Sequence, residues 1–194
     1  MAAPLKRLGA DLSPVAYAEV SHFHGVTQRA SRLCWAACVQ ARLAMDATHR
    51  EAPPDQAALA FRFVPDPGAK EDLAWLSARP SHPCNQPMPP QRMAAVWHAL
   101  GYASARRLEL PIADLGGVLL AQLRRNCPVQ VRIEGTHAVL VVAYQRSADG
   151  REGVFIMDPA PAAAGGWQRL GKATTWLDLW IDLERPHPAP TPRD

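Results

Sequence analysis

The stretch Gln28-Arg-Ala-Ser-Arg-Leu-Cys-Trp-Ala-Ala-Cys-Val39 predicts the element around which the rest of the chain is organised. Cys34 opens a run of good helix formers without glycine or proline, and Ser31 is a suitable N-cap residue for that helix. We therefore expect Cys34 in the first helical turn, where unpaired N–H groups and the positive end of the helix dipole favour a thiolate over a thiol. The amide of Gln28, six positions earlier, could donate to an oxyanion beside the sulfur.

Two apolar segments further along the chain supply partners for the cysteine. His137 stands at the entrance of a nearly continuous apolar run that ends at Tyr144, and a second β-like run ends in Asp158-Pro159. A cysteine, a histidine and an aspartate that are separated in sequence but lie at the ends of elements form the set that nucleophilic catalysis needs. Each residue also has an ordinary alternative: a core cysteine, a histidine that caps a strand, and an Asp-Pro pair that ends one.

Together, Gln28, Cys34-Trp35-Ala36, His137 and Asp158-Pro159 resemble the active-site pattern of papain-like cysteine proteases. With aspartate rather than asparagine in third place and a short chain, the sequence most resembles the bacterial branches. These include the Avr-type effector proteases of plant pathogens and the bacteriocin-leader peptidases. The resemblance implies a helical lobe that carries the cysteine and a sheet lobe that carries the histidine and the aspartate.

The predicted chemistry is acyl transfer from a peptide bond. Cys34 would exist partly as a thiolate paired with protonated His137, whose other ring nitrogen is held by Asp158. The oxyanion would accept hydrogen bonds from the Gln28 amide and from the Cys34 backbone N–H. A cysteine endopeptidase is the leading interpretation, and we expect neither a metal nor another cofactor. The alternatives are an amidase or acyltransferase on the same triad, with a peptidoglycan or isopeptide substrate, and an inactive papain-like binding module.

The order of predicted elements, helices first and an antiparallel sheet second, indicates an α+β fold. With 194 residues, 48% of them hydrophobic, the chain is long enough for one globular domain. We expect a lead-in segment at 1–27, a catalytic domain at 28–185 and a proline-rich tail at 186–194. Within the domain, the helical lobe spans about 28–125 and the sheet lobe about 126–185. The helix that begins near Cys34 is predicted to end between 47 and 50. Further helices are predicted at 54–61, 69–77, 90–100 and 111–125, and strands at 102–110, 128–133, 137–144, 153–157, 167–170 and 174–183.

Charge and hydropathy narrow the expected partners. The net charge of +3 is mild and no run of five basic residues occurs, so nucleic acid is not implied. No apolar stretch approaches the ~20 residues that span a bilayer, and Asp11 interrupts any signal-peptide core. We expect a soluble monomer without a signal peptide that acts on a protein or peptide. By the resemblance, it would be an effector or toxin, secreted by a specialised system from the bacterial cytoplasm into a host or recipient cell. An immunity, chaperone or activating partner would fit that role.

The remaining cysteines and histidines have several open interpretations. Cys38 lies on the same helix face as Cys34 and favours core packing, with a disulfide to Cys84 or a metal site as alternatives. Apart from the nucleophile, an odd number of cysteines remains, which excludes a full disulfide framework and favours a reducing compartment. His22 and His24 are more typical of an ordinary lead-in than of metal ligands. The proline-rich segment 79–90, which contains His82, is expected to be an ordered loop on the substrate side.

Overall fold

The computed structural model describes residues 15–46, 52–66, 72–133, 135–161, 165–170 and 176–184, so the predicted tail at 186–194 lies outside the described residues. These ranges contain five helices and seven strands. The helices are α1 (Cys34–Asp46), α2 (Gln56–Phe63), α3 (Leu73–Ser77), α4 (Pro90–Ala99) and α5 (Leu115–Arg124). The strands are β1 (Ala16–Glu19), β2 (Arg106–Glu109), β3 (Val129–Ile133), β4 (His137–Arg146), β5 (Glu152–Met157), β6 (Gly166–Arg169) and β7 (Trp176–Ile181).

Helix α1 is the central element, since nine of its thirteen residues are buried. It packs against β4, which places one end of the helix beside the start of that strand. The N-cap prediction for this helix was wrong. The helix begins at Cys34, three residues after Ser31, and the Ser31 hydroxyl accepts a long hydrogen bond (3.4 Å) from the Asn85 amide. A tertiary contact therefore uses the oxygen that was expected to cap the helix.

Three of the other helices directly follow a capping aspartate, whose carboxylate accepts a hydrogen bond from the backbone N–H three residues later. The pairs are Asp55 with Ala58 (2.8 Å), Asp72 with Trp75 (2.7 Å) and Asp114 with Gly117 (2.8 Å). The last pair corrects the prediction that a helix begins at Pro111. Because Asp114 caps the backbone, α5 begins at Leu115 and the residues before it form an irregular connection.

The strands form one antiparallel sheet in the order β2-β7-β3-β4-β5-β6, and β1 pairs with β4 as well. Strand β4 is long enough to hold two neighbours on one edge: its first half pairs with β3 and its second half with β1. Strand β1 lies inside the segment that was predicted only as a lead-in, so part of that segment belongs to the sheet. The predicted α+β class, with an antiparallel sheet, is confirmed.

The core fills the space between the helices and the sheet. Its largest fully buried side chains include Trp35, Trp97, Tyr102 and Tyr144. The Trp97 indole donates a 2.9 Å hydrogen bond to Gln130 of β3, which ties α4 to the sheet. Within the described ranges, no helix combines the length and the apolarity that a bilayer crossing demands.

A buried ionic cluster holds the turn between β3 and β4. Asp178 on β7 is fully buried, and one of its carboxylate oxygens accepts hydrogen bonds from Arg107 (3.1 Å) and from Arg132 (2.6 and 2.9 Å). Arg132 also donates a 2.6 Å hydrogen bond to the carbonyl of Gly135, which lies in the turn at a φ of 81°. The cluster therefore fixes the backbone directly before His137.

The variant Asp178→Ala should lower the free energy of unfolding by about 3 kcal/mol, because two arginines would lose their buried counter-charge. Urea unfolding followed by tryptophan fluorescence measures this change. The matched control is Asp149→Ala, whose exposed carboxylate bonds only within the β4–β5 hairpin. Equal urea midpoints for the two variants would show that the Asp178 cluster does not support the sheet.

Candidate active site

Cys34 lies where α1 meets β4. It is the first residue of the helix and only 4% exposed. Its sulfur accepts a hydrogen bond from the backbone N–H of Ala138 (3.4 Å) and lies 3.8 Å from the carbonyl oxygen of Thr136. These two backbone groups flank His137 in sequence, so the structure brings the cysteine to the entrance of the strand that begins with the histidine.

His137 and Asp158 meet because their strands are antiparallel neighbours. The pairing of Leu140 with Met157 brings the start of β4 and the end of β5 to the same edge of the sheet. There, Nε2 of His137 and Oδ1 of Asp158 are 2.7 Å apart, and the same oxygen accepts a 2.9 Å hydrogen bond from the backbone of Ala160. Both side chains are about one quarter exposed, 27% and 25%. With Nε2 bound to the aspartate, Nδ1 is the ring nitrogen that remains for the cysteine.

The electrostatics of the site favour a protonated histidine. A hydrogen bond with Cys34 is the largest cause that raises the pKa of His137 to about 9. The hydrogen bond with Asp158 and the charges of both partners raise this pKa further, whereas burial lowers it. An imidazolium is therefore the prevailing form of His137 at neutral pH. One helical turn away, burial raises the pKa of the Cys38 thiol well above its usual range, so Cys38 stays a neutral thiol.

Gln28 bridges the two sides of the site. Its backbone N–H donates a 2.7 Å hydrogen bond to the carbonyl of Pro159, and its side-chain Nε2 donates one of 3.0 Å to the carbonyl of Ser31. Exchanging the amide oxygen and nitrogen would turn two acceptors towards each other, so the contact with Ser31 sets the amide orientation. One N–H of Nε2 is used in this contact and the second remains for a ligand.

The sequence analysis missed Gln56, which holds the backbone on either side of Gln28. Gln56 begins α2 and is only 1% exposed. Its Oε1 accepts a 2.8 Å hydrogen bond from the Arg29 N–H, and its Nε2 donates to the carbonyl of Thr27 (2.9 Å) and to Gln40 (3.2 Å). A glutamine directly after a capping aspartate is typical of an exposed helix start, and no local pattern indicates this buried role.

The proline-rich loop at 79–90 supports the start of α1. Buried Asn85 accepts a 3.2 Å hydrogen bond from the Arg32 backbone, and the carbonyl of Gln86 accepts one of the same length from the Trp35 indole. The loop therefore packs on the helix turn that contains the cysteine. Its expected position on the substrate side stays a prediction.

The other candidate residues lie apart from this site. His22 and His24 are exposed, and the described residues include no group of three or more His, Cys, Asp or Glu that could hold a metal ion. Cys38, Cys84 and Cys127 are buried free thiols. The alternative of a Cys38–Cys84 disulfide is therefore wrong for this structure, in which the Cys84 sulfur instead donates a 2.9 Å hydrogen bond to the carbonyl of Val64.

Sequence comparison and structure comparison give different results for this chain. No protein-family profile and no curated protein matches the sequence. The crystal structure of UfSP from C. elegans, a papain-like protein, superposes with a TM-score of 0.56 at 11% sequence identity. The fold is papain-like. The match covers 89% of this chain and 35% of the UfSP chain, so the chain spans about one third of the length of that protein.

The titration of His137, followed by NMR of the imidazole protons, should have a midpoint near pH 9 in the folded protein. Because the hydrogen bond with Cys34 is the largest cause of the raised pKa, Cys34→Ala should move the midpoint down towards 6.5. Since the folded-state pKa is above the unfolded one, protonated His137 stabilises the fold fully below about pH 6.5. This contribution is lost as the pH rises through about 9.

The control for this titration is Cys38→Ala, which removes a thiol one helical turn further along α1. Cys38 is not among the causes that raise the pKa of His137, so this variant should keep the midpoint near 9. If the Cys34→Ala and Cys38→Ala proteins titrated alike, the cysteine and the histidine would not be coupled.

Proposed function

We propose that the chain is a cysteine endopeptidase. The observation that carries this proposal is the position of His137: its Nε2 bonds to Asp158 while the backbone groups on either side of it contact the Cys34 sulfur. The raised pKa of the histidine adds support, because a thiolate is stabilised by an imidazolium beside it. The papain-like fold is a further support, since UfSP is a papain-like cysteine protease.

The proposed reaction begins with attack of the Cys34 thiolate on a peptide carbonyl, which forms a C–S bond and a tetrahedral oxyanion. Collapse of this intermediate breaks the C–N bond, and the proton held on Nδ1 of His137 passes to the leaving amine. The neutral imidazole then removes a proton from a water molecule, which attacks the acyl-enzyme thioester. The second collapse releases the carboxylic acid and restores the thiolate and the imidazolium. Asp158 keeps the ring orientation constant throughout and does not exchange a proton.

The oxyanion is assigned to two donors, the free N–H of the Gln28 amide and the backbone N–H of Cys34. The first N–H groups of an α-helix have no partner inside the helix, so the position of Cys34 at the start of α1 leaves a donor pointing out of it. Gln28 is kept in place by Pro159 and Ser31, and Gln56 fixes the backbone beside it. A preorganised donor of this kind stabilises the transition state more than the bound substrate.

The first experiment is labelling under reducing conditions with an epoxysuccinyl inhibitor of cysteine proteases, followed by intact mass and peptide mapping. Wild-type protein should gain one adduct, on Cys34 and not on the three other thiols. The His137→Ala variant should lose that adduct, because the thiolate would lack its cationic partner. Labelling of several cysteines, or labelling independent of His137, would contradict the triad.

The same experiment separates the alternatives. An inactive binding module would not react, and folded wild-type protein that stays unlabelled would end the proposal of an enzyme. An amidase or acyltransferase would react at Cys34 but would leave peptide libraries uncut. Cleavage of internal peptide bonds that is lost in Cys34→Ala is the result expected for an endopeptidase.

The variant Gln28→Ala should lower kcat by about 100-fold with little change in KM, because the lost donor acts mainly on the oxyanion of the transition state. Steady-state kinetics on a cleaved peptide measures both constants. Gln91→Ala, which removes an exposed glutamine of α4, is the matched control and should keep wild-type kinetics. A Gln28→Ala enzyme that differed from wild type in KM alone would show that the residue binds substrate and does not stabilise the oxyanion.

We also propose a biological setting of a bacterial effector or toxin that is delivered into another cell. This setting rests on the similarity of Gln28, Cys34, His137 and Asp158 to the Avr-type and bacteriocin-leader enzymes. Production of the protein in the cytosol of a recipient cell should impair growth, and Cys34→Ala should abolish that effect. Equal growth with both proteins at equal abundance would contradict the proposed toxicity.

A further inference from the structure

Two exposed arginines precede the nucleophile in sequence, Arg29 by five residues and Arg32 by two. Arg29 and Arg32 belong to the loop between Gln28 and Cys34, and both side chains are exposed. Neither has a carboxylate partner among the described residues. Six other described arginines form ion pairs with aspartate or glutamate, namely Arg42, Arg106, Arg107, Arg125, Arg132 and Arg151. Among the remaining arginines, Arg29 and Arg32 are set apart by their place in the loop that leads into Cys34.

The guanidinium of Arg32 is held beside the start of α1. It donates a 2.7 Å hydrogen bond to Oε1 of Gln86, and the carbonyl of the same Gln86 accepts one from the Trp35 indole. The Gln86 amide is itself fixed, since it donates to the carbonyls of Pro80 (3.3 Å) and His82 (3.2 Å). A neutral amide satisfies one N–H of the guanidinium and leaves its charge and its other donors available.

Arg29 is fixed through its backbone. Its N–H bonds to buried Gln56, and its carbonyl accepts a 2.8 Å hydrogen bond from the Ser77 hydroxyl. The residue is exposed and lines a pocket together with Thr27, Gln40 and Pro53. Both arginines are therefore cations on a rigid backbone, which reduces the ordering that binding of an anion would require.

Chain geometry limits which part of a substrate Arg32 can contact. Arg32 is two residues from Cys34, so their Cα atoms are at most about 7.6 Å apart. An extended substrate advances by about 3.3–3.6 Å per residue, and an arginine side chain spans roughly two such steps. The substrate residues within reach are thus those within about three positions of the bond that is cut.

We propose that Arg32, with Arg29 adding to the positive charge of the loop, selects peptides with an acidic side chain within about three residues of the scissile bond. This inference rests on the proposed endopeptidase function and names its class of substrate. Asp158, which precedes the Pro159 partner of Gln28, is already engaged by His137, and Asp66 is engaged by His82 at 3.4 Å. A carboxylate of the substrate would supply the missing charge, and a guanidinium binds it through two parallel hydrogen bonds.

The test uses a library of proteome-derived peptides in which cleavage sites are mapped by mass spectrometry, followed by matched peptides with Glu or Gln at one position. Glu peptides should be cleaved with a kcat/KM about 2- to 5-fold higher than Gln peptides, as expected for one exposed ion pair. The preference should weaken at high salt. Arg32→Glu should reverse it in favour of Lys peptides, and the double variant with Arg29→Glu should do so more strongly.

Arg124→Glu on α5 is the matched control, because it makes the same charge change on an exposed helix position outside the loop that precedes Cys34. Melting temperatures establish that each variant is folded. Cleavage that is equal for Glu and Gln peptides, or a preference that Arg124→Glu changes as much as Arg32→Glu, would overturn the inference and leave the endopeptidase function standing.

A chain that cleaves no peptide would instead overturn the proposed function. The inference about charge is then decided by binding alone, with fluorescently labelled Glu and Gln peptides added to Cys34→Ala protein. Tighter binding of the Glu peptide that is lost in Arg32→Glu would support recognition of acidic peptides. Equal affinity for the two peptides would overturn it.

Discussion

The antiparallel pairing of β4 with β5 is the constraint on which the site depends. Neighbouring antiparallel strands bring the beginning of one and the end of the other to the same edge of a sheet. His137 and Asp158 stand at those two ends, so the backbone ladder sets the 2.7 Å contact between them. The ring then has one fixed nitrogen and one free nitrogen, and the free one lies on the side of α1. A one-residue slip of this register would turn one of the two side chains to the opposite face of the sheet and separate them.

Most of the buried polar groups around this edge have hydrogen-bond partners, with Oε1 of Gln28 and Oδ1 of Asp178 among the exceptions. Gln56 and Asn85 are buried amides, and each bonds to backbone groups of the loop that leads into α1. Asp178 is a buried carboxylate with two arginines, and it holds the turn on the other side of His137. A buried polar group without partners costs several kcal/mol, so these networks specify one arrangement of the loops. The loops around the triad are therefore held in place by Gln56, Asn85 and Asp178, which lie outside it.

Much of the site could be predicted from local sequence patterns. Cys34 at a helix start, His137 at the entrance of an apolar run and Asp158 after another run are each defined by their immediate neighbours, and the structure places them at those element ends. Ser31 and Pro111 show where local reasoning fails. Each is a residue type that is common at a helix start. The Ser31 hydroxyl, however, bonds to Asn85, and Asp114 caps α5 in place of a start at Pro111.

Other parts of the structure could not be predicted because they depend on partners distant in sequence. The buried role of Gln56 appears only when Thr27 and Arg29 are brought beside it, 27 or more positions away. Strand β1 contains four residues, which are too few to show a clear alternation of apolar and polar side chains. It forms a strand because it pairs with the second half of β4, which β3 leaves free on that side. The sign and number of charges can be read from the sequence, whereas the lack of a carboxylate partner for Arg32 within the described part of the chain depends on how the loop is folded.

The hydrogen bond from Gln28 to Pro159 joins main-chain atoms only. The contacts of the Cys34 sulfur with Ala138 and Thr136 also use main-chain groups. The hydrogen bond from Gln28 to Pro159 persists through almost any exchange of side chains, with proline at position 28 as the exception. The contacts of Cys34 require the cysteine but leave the side chains at positions 136 and 138 free to vary. Substitutions can therefore change most side chains while the position of α1 relative to the sheet is retained. A fold of this kind can be recognised by structure comparison at a sequence identity that is too low for sequence comparison to detect.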